Sequence, residues 1–100
     1  MKKSQKLVRD GIPDLMLQNG QTPHTRILDD TEYRKELENK LQEEVEEYLR
    51  DKNEEELADI LEVLDAIIEE NHFSWENILE IKRAKKESRG GFKKKIFLME

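Results

Sequence analysis

The stretch KLQEEVEEYLRDKNEEELADILEVLD, residues 40–65, joins two amphipathic helical patterns that carry an excess of acidic residues. Apolar residues recur at the 3.6-residue period of a helix on both sides of the break RDKN. They are Leu37, Leu41, Val45, Tyr48 and Leu49 before the break, and Leu57, Ile60, Leu61, Leu64, Ile67 and Ile68 after it. The short break predicts an antiparallel hairpin of two helices, from Thr31 to about Leu49 and from Glu54 to about Glu70.

Weaker signals predict the remaining elements. Pro13 suits the first turn of a short helix that stops near Asn19 and Gly20. Asp30 is the expected N-cap of the first hairpin helix, and Ser74 is that of a later helix which ends at Gly90 and Gly91. Short extended segments are expected near residues 25–28 and 95–98, where they can pair as strands. The predicted fold class is all-α, in a single domain that spans residues 1–100.

Composition limits the function classes. The chain has 100 residues, a formal net charge of -6 and no cysteine, so thiolate metal sites are excluded and a reducing compartment is expected. No apolar run approaches the roughly 20 residues that cross a bilayer. Residues 82–95 hold eight basic residues and one acid, too short a cluster to predict binding to a nucleic-acid polymer. We expect a cytoplasmic protein without a membrane or nucleic-acid partner.

Four of the hairpin's acidic residues are predicted to converge. Glu56 falls inside the apolar arc of its helix, and Asp59 falls just beside it. A turn centred between Asp51 and Lys52 places Glu47 opposite Glu56 and Glu44 opposite Asp59. Four carboxylates at one point repel each other unless a cation lies among them. Because these are hard oxygen ligands without histidine or cysteine, the spacing predicts a site for Mg²⁺ or Mn²⁺.

An ordinary structural role for these acids is the alternative. Asn53 and Glu56 have the spacing of a capping box, in which Glu56 serves its own helix. Glu44 and Glu47 fit equally well as surface acids of a charged helix. Asp59 fits this alternative least, because it lies beyond the cap and aspartate is a poor helix former.

The two acidic motifs also carry a family resemblance. LQEEVEEY and EEELADILEVLDAI resemble the paired E-x-x-E and E-x-x-D motifs of the all-α NTP pyrophosphatase superfamily, which includes MazG, dimeric dUTPases and phosphoribosyl-ATP pyrophosphohydrolase. KLVRDGIPDLM near the start and RGGF near the end resemble the small phosphoribosyl-ATP pyrophosphohydrolase-like branch, which is described as house-cleaning. The resemblance covers the chain from Lys6 to about Leu98. It does not indicate which nucleotide is the substrate.

The resemblance implies an activity and a ligand set. The family reaction is hydrolysis of a nucleoside triphosphate between the α- and β-phosphates, and Mg²⁺ is held by the residues that match Glu44, Glu47, Glu56 and Asp59. Glu43 matches an acid that often precedes the first motif. The eight residues between Glu47 and Glu56 form a shorter connection than in much of the superfamily, which leaves less room there for recognition of a base.

Further residues complete the predicted site. Glu43 or Glu47 is expected to accept the proton of the attacking water, and the sequence does not choose between them. A triphosphate needs cations besides the metal. Lys82, Lys86 and Arg89 lie on one side of a helix at i, i+4 and i+7 and are expected to bind phosphates, as is Arg9.

Two classes of function are compatible with these features. The first is a Mg²⁺-dependent nucleoside triphosphate pyrophosphohydrolase, whose hairpin forms a helical bundle in a homodimer or larger oligomer because its second helix has a wide apolar arc. The second is a non-catalytic acidic helical module that binds a partner or supports dimerisation.

Overall fold

The computed structural model describes residues 5–99, in which four α-helices and no β-strand occur. The helices are α1 (Ile12–Gln18), α2 (Asp30–Asp51), α3 (Glu54–Glu70) and α4 (Trp75–Arg89). The all-α fold class is therefore confirmed. None of these four helices combines the length and the apolar character that crossing a membrane requires.

The two segments expected to be extended lie outside the helices but do not pair. Neither residues 25–28 nor residues 95–98 form a strand, so the predicted pairing between them is wrong. Lys95 has a φ of 60°, which belongs to the left-handed region and not to extended backbone. This left-handed residue interrupts the extended backbone that a strand needs.

The N-terminus of α2 is capped by Asp29, one residue before the predicted cap at Asp30. The Asp29 side chain accepts a hydrogen bond from the Glu32 N–H at 2.8 Å, and the Glu32 carboxylate accepts one from the Asp29 N–H at 3.4 Å. This reciprocal capping box satisfies two N–H groups that have no partner within a helix. Asp29 is the N-cap because a glutamate, Glu32, lies three residues after it. The residue three positions after Asp30 is Tyr33, which cannot complete a capping box.

A two-residue connection joins α2 to α3. Lys52 adopts the left-handed conformation, with φ 53° and ψ 45°, and its N–H donates to the Tyr48 carbonyl oxygen at 2.7 Å. The next residue, Asn53, caps α3 by accepting a hydrogen bond from the Glu56 N–H at 3.0 Å. The chain reverses within these two residues. The start of α3 at Glu54 is confirmed, whereas α2 continues through Arg50 and Asp51, two residues beyond the predicted end near Leu49.

The chain divides into two compact units, the first ending at Ile67 and the second beginning at Ile68. In the first unit, Leu37 of α2 and Val63 of α3 are buried, with 3% and 7% of their surface exposed. Glu62 and Asp65 of α3 are exposed, as expected of its outer side. The prediction of a single domain is not tested by this division and stays a prediction.

The second unit contains α4. Ser74 caps this helix by accepting a hydrogen bond from the Asn77 N–H at 3.1 Å. The helix ends at Gly90, whose φ of 84° favours glycine and whose N–H donates to the Lys86 carbonyl oxygen at 2.8 Å. Both ends of α4 therefore agree with the prediction from the sequence.

Candidate metal and phosphate site

The hairpin brings five carboxylates together in two groups that share Glu44. In each group, one oxygen from every carboxylate lies within 4.8 Å of the others. One group lies on a single helix, and the other links α2 to α3. The first comprises Glu43, Glu44 and Glu47, and the second comprises Glu44, Glu56 and Asp59. All four predicted metal ligands thus take part in one or other group, and Glu44 lies opposite Asp59 as the predicted register requires.

Glu44 lies at the centre of this cluster and is the one buried charged residue among residues 5–99, with 6% of its surface exposed. Its Oε2 atom pairs with Lys40 Nζ at 3.2 Å. Within the described residues, its Oε1 atom is buried without a hydrogen-bond partner, and the same holds for Glu56 Oε1. A buried oxygen without a partner costs stability. Two such oxygens in one cluster therefore fit a cation that would bind both.

The structure contains one half of the capping box proposed for Asn53 and Glu56, and this half leaves a ligand role open for the Glu56 carboxylate. The cap at Asn53 uses the backbone N–H of Glu56. The Glu56 side chain contributes the unpartnered Oε1 atom, which remains available to a cation. Glu56 therefore fixes the start of α3 through its backbone while its carboxylate faces the other acids.

Within the part of the chain that the structure describes, three cations flank the carboxylates. Lys40 Nζ lies 3.5 Å from Glu43 Oε1 as well as close to Glu44. Lys6 Nζ lies 3.5 Å from Glu43 Oε2. Arg9 Nη2 lies 2.8 Å from Asp59 Oδ1, so this predicted phosphate-binding residue is adjacent to the cluster.

The three cations differ in how firmly they are held. Lys40 belongs to α2 and only 15% of its side chain is exposed, whereas Lys6 and Arg9 are exposed by 49% and 54%. The latter two precede α1 in a non-helical segment. The Arg9 carbonyl oxygen accepts a hydrogen bond from the Ile12 N–H at 3.1 Å, which ties Arg9 to the start of α1.

Two clefts adjoin the cluster. The smaller, of about 220 Å³, has the three cations and two of the carboxylates in its walls. This smaller cleft is lined by Lys6, Val8, Arg9, Ile12, Lys40, Glu44 and Asp59.

The larger cleft, of about 470 Å³, contains amide side chains beside Glu43 and Glu47. Polar lining residues of the larger include Gln5, Asn39, Gln42 and Arg50.

Burial and neighbouring negative charges raise the pKa of two carboxyl groups above the ordinary glutamate value. For Glu47 the main cause is burial, followed by the negative charges of Glu44, Glu43 and Glu56. For Glu56 the main cause is also burial, followed by the charges of Asp51, Asp59 and Glu44. Both shifts favour the protonated form. The cluster without a metal therefore resists full ionisation.

We expect these shifts to make the metal-free protein less stable as pH rises. The folded-state pKa of Glu47 and Glu56 lies above the unfolded value. Protonation of these two groups therefore stabilises the folded state. The contribution is complete below the unfolded pKa of about 4.5 and is lost as pH rises through the raised folded-state pKa. In the presence of a chelator, we compare the double variant Glu47→Gln, Glu56→Gln with the wild type. The melting temperature of the variant minus that of the wild type should increase between about pH 4.5 and pH 7.

Comparison with this variant isolates the two groups from other titrations. Glu32 has a lowered pKa because Arg26 donates hydrogen bonds to its carboxylate. Its contribution is lost as pH falls, and it is present in both proteins. A constant difference in melting temperature across this pH range would contradict the assigned shifts.

The other predicted phosphate-binding residues lie on α4, in the second unit. Lys82, Lys86 and Arg89 are exposed, and α4 is continuous over all three positions. Arg83 on the same helix pairs with Glu80 and Glu87. A role for Lys82, Lys86 and Arg89 in binding phosphate stays a prediction.

Lys6 and Lys40 are the residues that sequence reasoning missed. Lys40 could have been found, since it precedes Glu44 by four residues on a helix and this spacing brings such side chains together. Lys6 carried no such signal, because it lies outside a helix and contacts Glu43 across 37 positions of the chain. The contact is tertiary and depends on where the segment before α1 lies.

Comparisons of the chain with protein-family models, curated proteins and solved structures return no match. The likeness to the all-α NTP pyrophosphatases therefore depends on the sequence motifs alone. The arrangement of the carboxylates and their cations supports a functional proposal independently of any relative.

Proposed function

We propose that the protein is a Mg²⁺-dependent pyrophosphohydrolase that cleaves a nucleoside triphosphate, or a related phosphoribosyl nucleotide, between the α- and β-phosphates. Mn²⁺ is the alternative ion, and clearance of unwanted nucleotides is the proposed role. The observation that carries the proposal is Glu44, a buried carboxylate shared by both groups, whose Oε1 atom lacks a hydrogen-bond partner among the described residues.

The composition of the cluster supports a hard divalent cation. All of its ligand atoms are carboxylate oxygens, the donors that Mg²⁺ and Mn²⁺ prefer. When bound, such an ion supplies charge neutralisation of phosphate oxygens and lowers the pKa of a coordinated water. The residues proposed to hold it are Glu44, Glu47, Glu56 and Asp59.

Glu47 is the better candidate for the general base. Its carboxylate belongs to the group on α2 and not to the group of Glu44, Glu56 and Asp59 that links the two helices, so it is the proposed ligand that would be least engaged by the ion and most able to accept a proton. Glu43 contacts both Lys6 and Lys40, so both of its carboxylate oxygens already have cationic partners. In the proposed reaction, water attacks phosphorus and Glu47 accepts its proton. The bond between that phosphorus and the oxygen that bridges the α- and β-phosphates breaks, giving a nucleoside monophosphate and pyrophosphate.

Binding of a triphosphate needs positive charge besides the metal. Arg9 lies beside Asp59 at one wall of the smaller cleft and supplies a guanidinium suited to phosphate oxygens. We propose that Lys82, Lys86 and Arg89 of α4 contribute further contacts. This assignment depends on their charge and helical spacing.

The hairpin also presents apolar side chains that suit a partner. Val45 and Leu49 of α2 are exposed by 38% and 57%, and Leu57 and Leu61 of α3 by 46% and 56%. Each pair has the i, i+4 spacing of one helix face. We propose that a second copy of the chain covers these residues in a helical bundle, and sedimentation equilibrium measures this directly.

A pyrophosphate-release screen tests the proposed function. Ordinary and damaged nucleoside triphosphates are incubated with the protein and Mg²⁺, and both pyrophosphate and monophosphate are measured. We expect at least one substrate to give equal amounts of the two products, with no release when a chelator is present. Release of inorganic phosphate instead would place cleavage at a different bond.

A non-catalytic acidic module is the alternative function. The exposed apolar residues of the hairpin support this module as much as they support a dimeric enzyme, because a protein partner and a second copy would bury the same surface. Absence of pyrophosphate release across the screen, combined with no response of stability to either metal, would favour this module over the enzyme.

A further inference from the structure

The N-terminal segment places two exchangeable cations at the carboxylates. Lys6 pairs with Glu43 and Arg9 pairs with Asp59, and both cations are about half exposed. Lys40, in contrast, is largely buried on α2 beside Glu44. Lys40 is therefore a fixed counter-ion, while Lys6 and Arg9 can leave their partners at little cost because exposed ion pairs contribute little to stability.

Among residues 5–99, the charges of the cluster do not balance without a further cation. Five carboxylates face three cations, which leaves two negative charges when all groups are ionised. A divalent ion supplies that balance. A triphosphate adds negative charge next to the same ion, and its oxygens then compete with the carboxylates for the nearest mobile cations.

We propose, on the basis of the function proposed above, that Lys6 and Arg9 exchange partners during binding, pairing with the carboxylates before metal binds and with substrate phosphates afterwards. Their common location supports this. Both line the smaller cleft together with Lys40, Glu44 and Asp59. A phosphate group in this cleft lies within reach of the two cations and of carboxylates from the cluster.

The exchange predicts opposite effects of a single substitution on two affinities. Lys6→Gln removes a positive charge beside the carboxylates that would bind the metal, so Mn²⁺ alone should bind about two- to fivefold more tightly. The same substitution removes a phosphate contact, so inorganic tripolyphosphate in excess Mg²⁺ should bind about tenfold more weakly. Arg9→Gln should change both affinities in the same directions. Titration calorimetry measures Mn²⁺ and tripolyphosphate binding without any catalytic turnover.

Matched variants separate exchange from a general change in charge. Arg26→Gln removes one positive charge from an exposed pair with Glu32, which lies twelve residues before Glu44 and thus about 18 Å away along α2. This variant should leave both affinities unchanged. Lys6→Arg should retain both, because it preserves the charge on a long side chain.

The outcomes distinguish this proposal from the proposed function. If Mn²⁺ does not bind the wild-type protein, the metal-dependent function fails and the exchange fails with it. If Mn²⁺ binds but Lys6→Gln and Arg9→Gln leave both affinities unchanged, only the exchange is overturned. A decrease of both affinities together would also overturn it, since this indicates that the cations maintain the structure of the cluster.

Discussion

Mg²⁺ or Mn²⁺ at a concentration about 100 times its dissociation constant should raise the melting temperature by about 10 °C or more. An ion that binds only the folded state stabilises it by about 2.7 kcal/mol under this condition, and each kcal/mol raises the melting temperature of a 100-residue chain by about 4–8 °C. The physical reason is the cluster itself. A bound ion would give a partner to the two unpartnered oxygens, Glu44 Oε1 and Glu56 Oε1. Its positive charge would also reduce the repulsion among the carboxylates.

The control for this measurement must separate binding from screening. The chain has a formal net charge of -6, so any added salt weakens repulsion between its acids. NaCl at equal ionic strength measures that contribution. Glu44→Gln should remove most of the specific shift, whereas Glu38→Gln, an exposed residue of the same helix, should retain it. An equal shift in both variants would contradict specific binding at the cluster.

Glu56→Gln should reduce pyrophosphate release by at least about 100-fold, because it removes a proposed ligand of the catalytic ion. The same substitution should stabilise the metal-free protein. Neutralising Glu56 relieves its repulsion with Asp51, Asp59 and Glu44, and the gain in melting temperature should amount to a few degrees, about 2–5 °C. Activity is measured on whichever nucleotide the screen identifies, and stability by thermal unfolding with a chelator.

Glu62→Gln is the matched control, since Glu62 is an exposed residue of the same helix and the change in charge is identical. It should leave both activity and stability nearly unchanged. Asp59→Asn is less informative, because Arg9 pairs with Asp59 and would lose that partner. A Glu56→Gln variant that keeps full activity would contradict the role of Glu56 as a ligand.

Local patterns were sufficient to predict much of the fold. The helical period and the break at RDKN placed α3 at Glu54–Glu70, and Ser74 and Gly90 marked the ends of α4. Where one local signal competed with another, the prediction failed by one residue. Asp29 caps α2 in place of Asp30 because only Asp29 has its reciprocal glutamate.

The candidate site was predictable where it depends on helix geometry alone. Glu44, Glu56 and Asp59 lie together because a short turn between two regular helices determines their register. The partners Lys6 and Arg9 depend on an irregular segment whose position is set by tertiary contacts. Arg9 was identified from its motif, whereas Lys6 had neither a periodic position nor a local partner that would have indicated its contact with Glu43.

The connection at Lys52 and Asn53 has a consequence for how this chain can change through evolution. Each residue added to a helix rotates the rest of that helix by about 100°, so one inserted residue that extended either helix at this turn would carry Glu56 and Asp59 away from Glu44. Surface loops ordinarily tolerate changes in length. Here the alignment of charges on two helices depends on a loop that contributes no ligand, so a change in its length should be tolerated only where it leaves the register of both helices unchanged.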